Sequence, residues 1–266
     1  MLDLLHRAPR HLGVPRARWT LRLLAGAVGW LAALSESGVH RLLGRLGLTY
    51  RRGQEHLHSP DPEYQAKLAA VRRAAAAARR PGGRAVLVYL DEVTYYRRPS
   101  VARCHARAGG PGRYAEQGHR RNAKRRVIGA LDAHAGRLTY AQAGKAGVAE
   151  LARFFARLRA EYPAADALYV ALDNWPVHFH PRVLAGLPAG VVLLRLPTYA
   201  PWTNPIEKVW RKLKGEALHQ HAFADDWAGL KGAVEAWVAS TAADPPTLKR
   251  YTGLGPRRRK RKSMHS

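Results

Sequence analysis

The chain has 266 residues, enough for one large domain plus a small one, and its 47% of apolar residues can build a packed core, which excludes wholesale disorder. Lys and Arg total 45 against 19 Asp and Glu, a formal charge of +26 that calls for a polyanionic partner; nucleic acid is favoured over an anionic membrane surface because no long basic amphipathic helix dominates. The one cysteine, Cys104, excludes an intrachain disulfide framework and a cysteine-based zinc site; no run approaches the ~18 apolar residues of a membrane span; and the start, MLDLLHRAPR, lacks a signal-peptide core, so a cytoplasmic, nucleoid-associated protein with no membrane partner is expected.

Residues 1–57 are basic and helix-prone. An apolar helix is expected around Trp19 to Leu34. A second starts at Ser35, a good cap, and carries Val39, Leu42, Leu43 and Leu46 at i, i+3, i+4 and i+7 before Gly47 ends it. His40, Arg41 and Arg45 lie off that stripe and face outward. Two short helices with a basic outer face read as a helix-turn-helix, with Leu48 to Arg52, including Arg51 and Arg52, as a candidate wing strand. A plain helical hairpin with a solvated basic face is the alternative. Residues 58–84 read as a connector: Ser59-Pro-Asp-Pro62 breaks the chain, Ala74 to Ala78 favours helix, and Pro81-Gly-Gly83 stops it.

From Arg84 onward strands alternate with helices. Ala85 to Leu90 and Ala167 to Leu172 are continuous apolar runs, as in strands buried on both faces, and Val191 to Leu196 is a third strand. Arg126 to Leu131 and Arg137 to Ala141 flank Asp132-Ala-His-Ala-Gly136 as a hairpin. Helices are expected over Val148 to Tyr162, Pro205 to about His219, and Asp225 to about Ser240. The order implies an α/β fold with a mixed sheet over residues 85–243. Residues 244–266 read as a basic tail ending in Arg257-Arg-Arg-Lys-Arg-Lys262.

Acids are scarce, so their positions carry information. Asp91 and Asp173 each follow an apolar strand, at the mouth where an open α/β sheet places its site. Half-buried, facing carboxylates repel one another, and a divalent cation relieves both costs. Taken singly, each Asp could equally cap a turn or meet an arginine. Glu207 stands in Asn204-Pro-Ile-Glu-Lys-Val-Trp210, read as a helix start with Asn204 as cap and Pro205 at the first position. Ile206, Trp210 and Leu213 form its buried stripe, and the helix dipole favours an ionised Glu207. A surface Glu serving only its own helix is the alternative. Oxygen ligands of this kind suit magnesium.

The blocks Leu-Asp91-Glu92, Leu-Asp173-Asn174-Trp-Pro-Val-His178 and Leu196-Pro-Thr-Tyr-Ala-Pro-Trp-Thr-Asn204-Pro-Ile-Glu207-Lys-Val-Trp210 resemble those of bacterial insertion-sequence transposases of the Tc/mariner superfamily. The resemblance runs from about residue 16 to 240, with 33 residues between Asp173 and Glu207. It implies a ribonuclease H-like fold behind the helix-turn-helix region and a catalytic triad of Asp91, Asp173 and Glu207 holding two magnesium ions, manganese being able to substitute. The implied reaction is cutting at terminal inverted repeats and joining of 3′ ends into target DNA, commonly TA, by a homodimer on double-stranded DNA. Members usually carry a longer amino-terminal region with two helix-turn-helix units. The expectation is therefore a truncated copy or a partner product from an upstream reading frame, and only modest sequence preference. Trp202 also departs from the Leu or Asp common at that point of the last block.

His40, Arg41, Arg45, Arg51 and Arg52 are the expected duplex readers. Arg97 and Arg98, with Tyr95 and Tyr96, are candidates for phosphate contact and stacking, or else belong to a sheet-edge strand. Asn174 and His178 either shape the strand end or touch DNA. Strand alternation points Glu92 away from Asp91 and makes it dispensable. Two rival readings remain: a domesticated or defective repeat-binding protein, and a structure-selective nuclease of the same fold.

Overall fold

The computed structural model describes residues 4, 5, 7–50 and 59–255; Arg51, Arg52 and the basic run 257–262 lie outside the described residues. The chain divides into two compact units, Met1–Leu57 and His58–Ser266.

In the first unit the apolar stretch after Trp19 forms a short helix α1 (Leu21–Ala27), capped by Thr20, and then a 3-10 turn over Gly29–Leu31. It is therefore not the single helix expected to Leu34. Helix α2 (Glu36–Arg45) starts as its sequence demands, with Ser35 Oγ accepting from the Gly38 amide at 3.2 Å, and Gly47 follows in the left-handed region at φ 73°. Leu24, Leu31 and Val39 are buried; Leu42 and Leu43 are half-buried and Leu46 is exposed, so the stripe fades toward the carboxyl end. Leu48 to Tyr50 form no strand, and no wing exists among the described residues.

The second unit is built on five strands: β1 (Ala85–Tyr96), β2 (Lys124–Asp132), β3 (Leu138–Ala143), β4 (Ala167–Leu172) and β5 (Val191–Arg195). Their order is β3-β2-β1-β4-β5. The first three are antiparallel, as the Asp132 turn dictates, while β4 and β5 run parallel to β1. This mixed sheet flanked by helices is the ribonuclease H-like fold. Alternation along β1 assigns its residues to two faces. Val88 and Leu90, with Ile128 and Ala130, pack on Leu151, Phe154, Phe155 and Leu158 of helix α4 (Val148–Ala160). Each of those helix side chains is fully buried, worth roughly 1.5–3 kcal/mol apiece.

The opposite face carries two groups. Helix α3 (Tyr64–Ala78) lays Val71 and Ala74 on Leu87, Tyr89 and Ala171. The stretch 58–84 is thus not a free connector; its helix is a layer of the sheet domain. Farther along, Val93, Tyr95, Val127 and Leu131 meet helix α6 (Glu207–Leu213), helix α7 (Trp227–Ala242) and Leu248 of helix α8 (Pro245–Thr252). A fifth short helix, α5 (Pro181–Ala185), links β4 to β5. The expected helix from Pro205 is shorter than read, since a single π-helical turn over Lys214–Leu218 follows Leu213. Residues 244–252 are not tail either: Asp244 caps α8 through the Thr247 amide at 3.0 Å, and Leu248 is buried.

Candidate active site

The apolar run that opens β1 does not stop at Asp91. The strand continues to Tyr96, because its antiparallel ladder with β2 holds from Val88↔Asp132 to Tyr96↔Lys124. What ends near Asp91 is the other neighbour. The parallel ladder with β4 closes at Tyr89↔Ala171, and β4 itself ends at Leu172. That register, extended by two residues, would align Asp91 with Asp173, and Asp91 does feel the Asp173 charge, though less than those of Glu207 and Glu92. Adjacent strands run roughly 4.8 Å apart, so two carboxylates of like charge flank the point where the strands part.

Glu207 is brought to them by packing. It is the first residue of α6, and buried Ile206 and Trp210 hold that helix to the sheet. The sheet has a slot for the indole. Gly129 stands directly opposite Asp91, and a Cβ there would lie 2.6 Å from Trp210 Cη2 and 3.2 Å from Ile206 Cδ1. Residues paired across antiparallel strands point to the same face. Asp91 therefore faces the side that α6 occupies.

Asn204 completes the join, though not as the expected helix cap. The helix begins three residues later, and the buried Asn204 side chain instead donates Nδ2–H to the Leu90 carbonyl at 3.2 Å, one residue from Asp91. Its Oδ1 is buried without a partner.

The electrostatics follow from this crowding. Burial, then the charges of Glu207 and Glu92 and, more weakly, Asp173, push the Asp91 carboxyl up from 3.8 to about 8. Burial acts in the same direction on Asp173, but the His178 ring and the Trp175 amide, which donates to Oδ1 at 3.0 Å, outweigh it and hold that carboxyl below its usual value. Among the described residues no three His, Cys, Asp or Glu side chains are gathered closely enough to hold an ion as they stand. The chemistry of the donor set nonetheless fits a hard divalent cation. It consists of carboxylate oxygens only, and the burial and neighbouring Glu207 and Glu92 charges that raise the Asp91 carboxyl are costs a bound cation relieves.

The other residues singled out in the sequence divide clearly. His178 has no exposed surface, so it is not a DNA contact. Its ring is enclosed between Glu92 and Asp173, with Trp175 edge-on at 5.3 Å. Asn174 shapes the strand end: Nδ2–H donates to the Leu196 carbonyl at 2.9 Å and to Thr198 Oγ1 at 3.0 Å, while Oδ1 accepts from Arg195 at 3.3 Å. Tyr95 is buried, donates to Gln142 and packs its ring on Trp227, which removes it from stacking on DNA; Tyr96 is exposed. Arg97 is half-buried with its guanidinium 5.5 Å over the Trp227 ring, whereas Arg98 is exposed. His40, Arg41 and Arg45 are exposed along α2.

Several contributors escaped sequence reasoning. Gly129 had a signal, a glycine inside an apolar strand. Glu92 had none, because its partner is 86 residues away. Asp61 accepts from Lys67 Nζ at 2.7 Å, from the Thr198 amide at 2.7 Å and from the Glu63 amide at 2.9 Å, which pins the loop that leads to Asn204.

Comparison with known proteins agrees with this architecture. The chain is 27% identical over 236 residues to an uncharacterized 39 kDa protein of insertion element IS630 from Shigella sonnei, covering 86% of this chain and spanning 66% of that relative. In fold it matches the Mos1 transposase in a paired-end complex with the left transposon end, at a TM-score of 0.62 and 18% identity, over 88% of this chain and 70% of that one. It also matches the mariner Mos1 paired end complex with Mg at 0.62 and 19% identity, with the same coverage. The model of the DDE superfamily endonucleases matches residues 86–228, which include Asp91, Asp173 and Glu207 and make up more than half of the chain; the protein belongs to that family.

Proposed function

We propose that this chain is the catalytic part of an insertion-sequence DNA transposase, cutting at terminal inverted repeats and joining the 3′ ends into target DNA. What supports the reading is a strand register that, carried two residues past Tyr89↔Ala171, would align Asp173 with Asp91, on a sheet whose Gly129 slot seats the helix of Glu207. Family membership supplies endonuclease chemistry, and the insertion-element origin of the relative supplies the context. Action on paired ends by a homodimer in the nucleoid belongs to the same proposal.

Asp91, Asp173 and Glu207 would hold two magnesium ions, with manganese able to substitute. When bound, the cations activate the attacking water or DNA 3′-hydroxyl and neutralise charge on the leaving oxygen. The chain's own groups do the rest. Asn204 and Asn174 hold the two loops that present the acids, and exposed arginines such as Arg98 neutralise phosphate. His40, Arg41 and Arg45 on α2 would meet the duplex.

The test is cleavage of a repeat-ended duplex set against a branched substrate. Asp91→Asn, Asp173→Asn and Glu207→Gln should each abolish nicking in magnesium and leave the Kd for duplex within about threefold. Preferential cutting of the branched substrate would instead support a structure-selective nuclease, and tight repeat binding with no cleavage by the parent chain a binding protein.

A further inference from the structure

Glu92 lies on the α4 side of β1, opposite to Asp91, and by strand alternation alone has no access to the site. The fold reconnects it. His178, in the turn after β4, has no exposed surface; its Nε2 lies 3.0 Å from Glu92 Oε1 and its Nδ1 3.0 Å from Asp173 Oδ1. The Nε2 contact to Glu92 is a hydrogen bond, and Nδ1 lies within ion-pair distance of Asp173 Oδ1 and 3.4 Å from the Asp173 carbonyl, so the ring bridges the two acidic residues. Rings on two sides restrain it, Trp175 at 5.3 Å and Phe179 at 6.5 Å between centroids. Glu92 is itself only 9% exposed and is fixed by the backbone of β1. The result is a rigid chain of contacts, strand to carboxylate to ring to carboxylate.

This arrangement divides the work of the two Asp173 oxygens. Oδ1 is committed to His178 and to the Trp175 amide. Oδ2 is left for a cation, on a side chain that is otherwise 58% exposed and would turn about χ1 and χ2 in solvent.

We propose that Glu92 and His178 form a buried strut that positions Asp173, so that its second oxygen is presented to a divalent cation in one orientation. The proposal rests on Asp173 being a metal ligand. Neither Glu92 nor His178 touches the cation or DNA. Outer contacts of this kind change metal affinity by about 10- to 100-fold when lost.

The experiment is a titration of the full chain with MnCl2, followed by the electron paramagnetic resonance of free Mn2+, alongside duplex binding, cleavage and thermal unfolding. Asp173→Asn is the reference. Glu92→Ala and His178→Phe should weaken Mn2+ binding about 10- to 100-fold, with the duplex Kd unchanged. Glu92→Gln keeps an acceptor for Nε2–H and should stay within about threefold of the parent. Because Glu92 acts only through His178, the double variant should be no weaker than the weaker single one, a non-additivity that independent structural damage would not produce.

Folded Glu92→Ala and His178→Phe proteins with parental Mn2+ midpoints would overturn the strut, as would losses that multiply in the double variant. If His178→Phe does not fold, Glu92→Ala decides. If neither folds, the pair is structural only and the proposal fails. Asp173→Asn with intact Mn2+ binding and cleavage would remove the underlying reading instead, and that outcome is distinguishable from all the others.

Discussion

Asp91 carries its electrostatic burden whether or not DNA is present. With a carboxyl raised from 3.8 to about 8 by burial and by its acidic neighbours, the folded chain binds a proton between those values that the unfolded chain releases. The associated stability is complete below about pH 4 and declines as pH rises toward 8. Asp91→Asn does not titrate. In EDTA it should raise the Tm at pH 8 and flatten the fall in Tm between pH 5 and 8; a variant with the parental slope would show that Asp91 ionises freely. Asp61 has the opposite sign. Lys67 first, then the Thr198 amide, hold its carboxyl well below the usual range, so its contribution is present above about pH 4 and lost as pH falls further. Asp61→Asn should therefore lower the Tm more at pH 7 than at pH 3, and equal losses at both would contradict the ion pair's role. The same residue anchors Thr198 and thus the loop to Asn204, so cleavage should fall with it.

Helix α6 is where an element, rather than a side chain, makes the site. Its seven residues are too few to be stable alone, so packing decides whether the helix forms. The packing hinges on Gly129. An added Cβ meets the fully buried Trp210 ring at 2.6 and 2.8 Å, so the ring must shift within a packed core. Gly129→Ala should cost about 1–3 kcal/mol, the usual range for overpacking. Its larger effect should be on chemistry, since tilting α6 moves Glu207 while leaving the basic DNA surface in place. Loss of cleavage with retained duplex binding is the expected pattern, and Trp210→Phe in the Gly129→Ala background should restore part of it. Gly129→Ala with full activity would show that Glu207 is positioned some other way.

At the scale of the whole molecule, charge sets the behaviour toward DNA. A chain of net +26 must release many counterions on binding, so the duplex Kd should rise steeply between 50 and 200 mM salt, the logarithm of the association constant falling against log salt with a slope of about −0.9 per phosphate neutralised. Removing residues 256–266 deletes six consecutive basic side chains, Arg257 to Lys262. The salt slope should become shallower without any change in preference between repeat and scrambled duplex. Altered preference in that deletion would show that the segment reads bases.

Much of this was legible in the chain itself. Apolar runs marked the cores of β1, β4 and β5, Ser35 and Gly47 marked the ends of α2, and the spacing of Ile206, Trp210 and Leu213 marked the buried side of α6, because these signals depend on neighbours within a few residues. The three acids proposed as ligands also stand at local patterns, Asp91 and Asp173 after apolar runs and Glu207 at a helix start. Tertiary structure alone decided the rest. Asp91 interrupts an apolar run, and only pairing with β2 shows that the strand continues through it. Asn204 looked like a helix cap, yet the nearby Leu90 carbonyl captured its side chain. Alternation turned Glu92 away from Asp91, and the sequence left His178 either shaping the strand end or touching DNA. The fold buried that ring between the carboxylates of Glu92 in β1 and Asp173 just past β4, because burial and hydrogen-bond partners are set by which strands become neighbours, a property no local window contains.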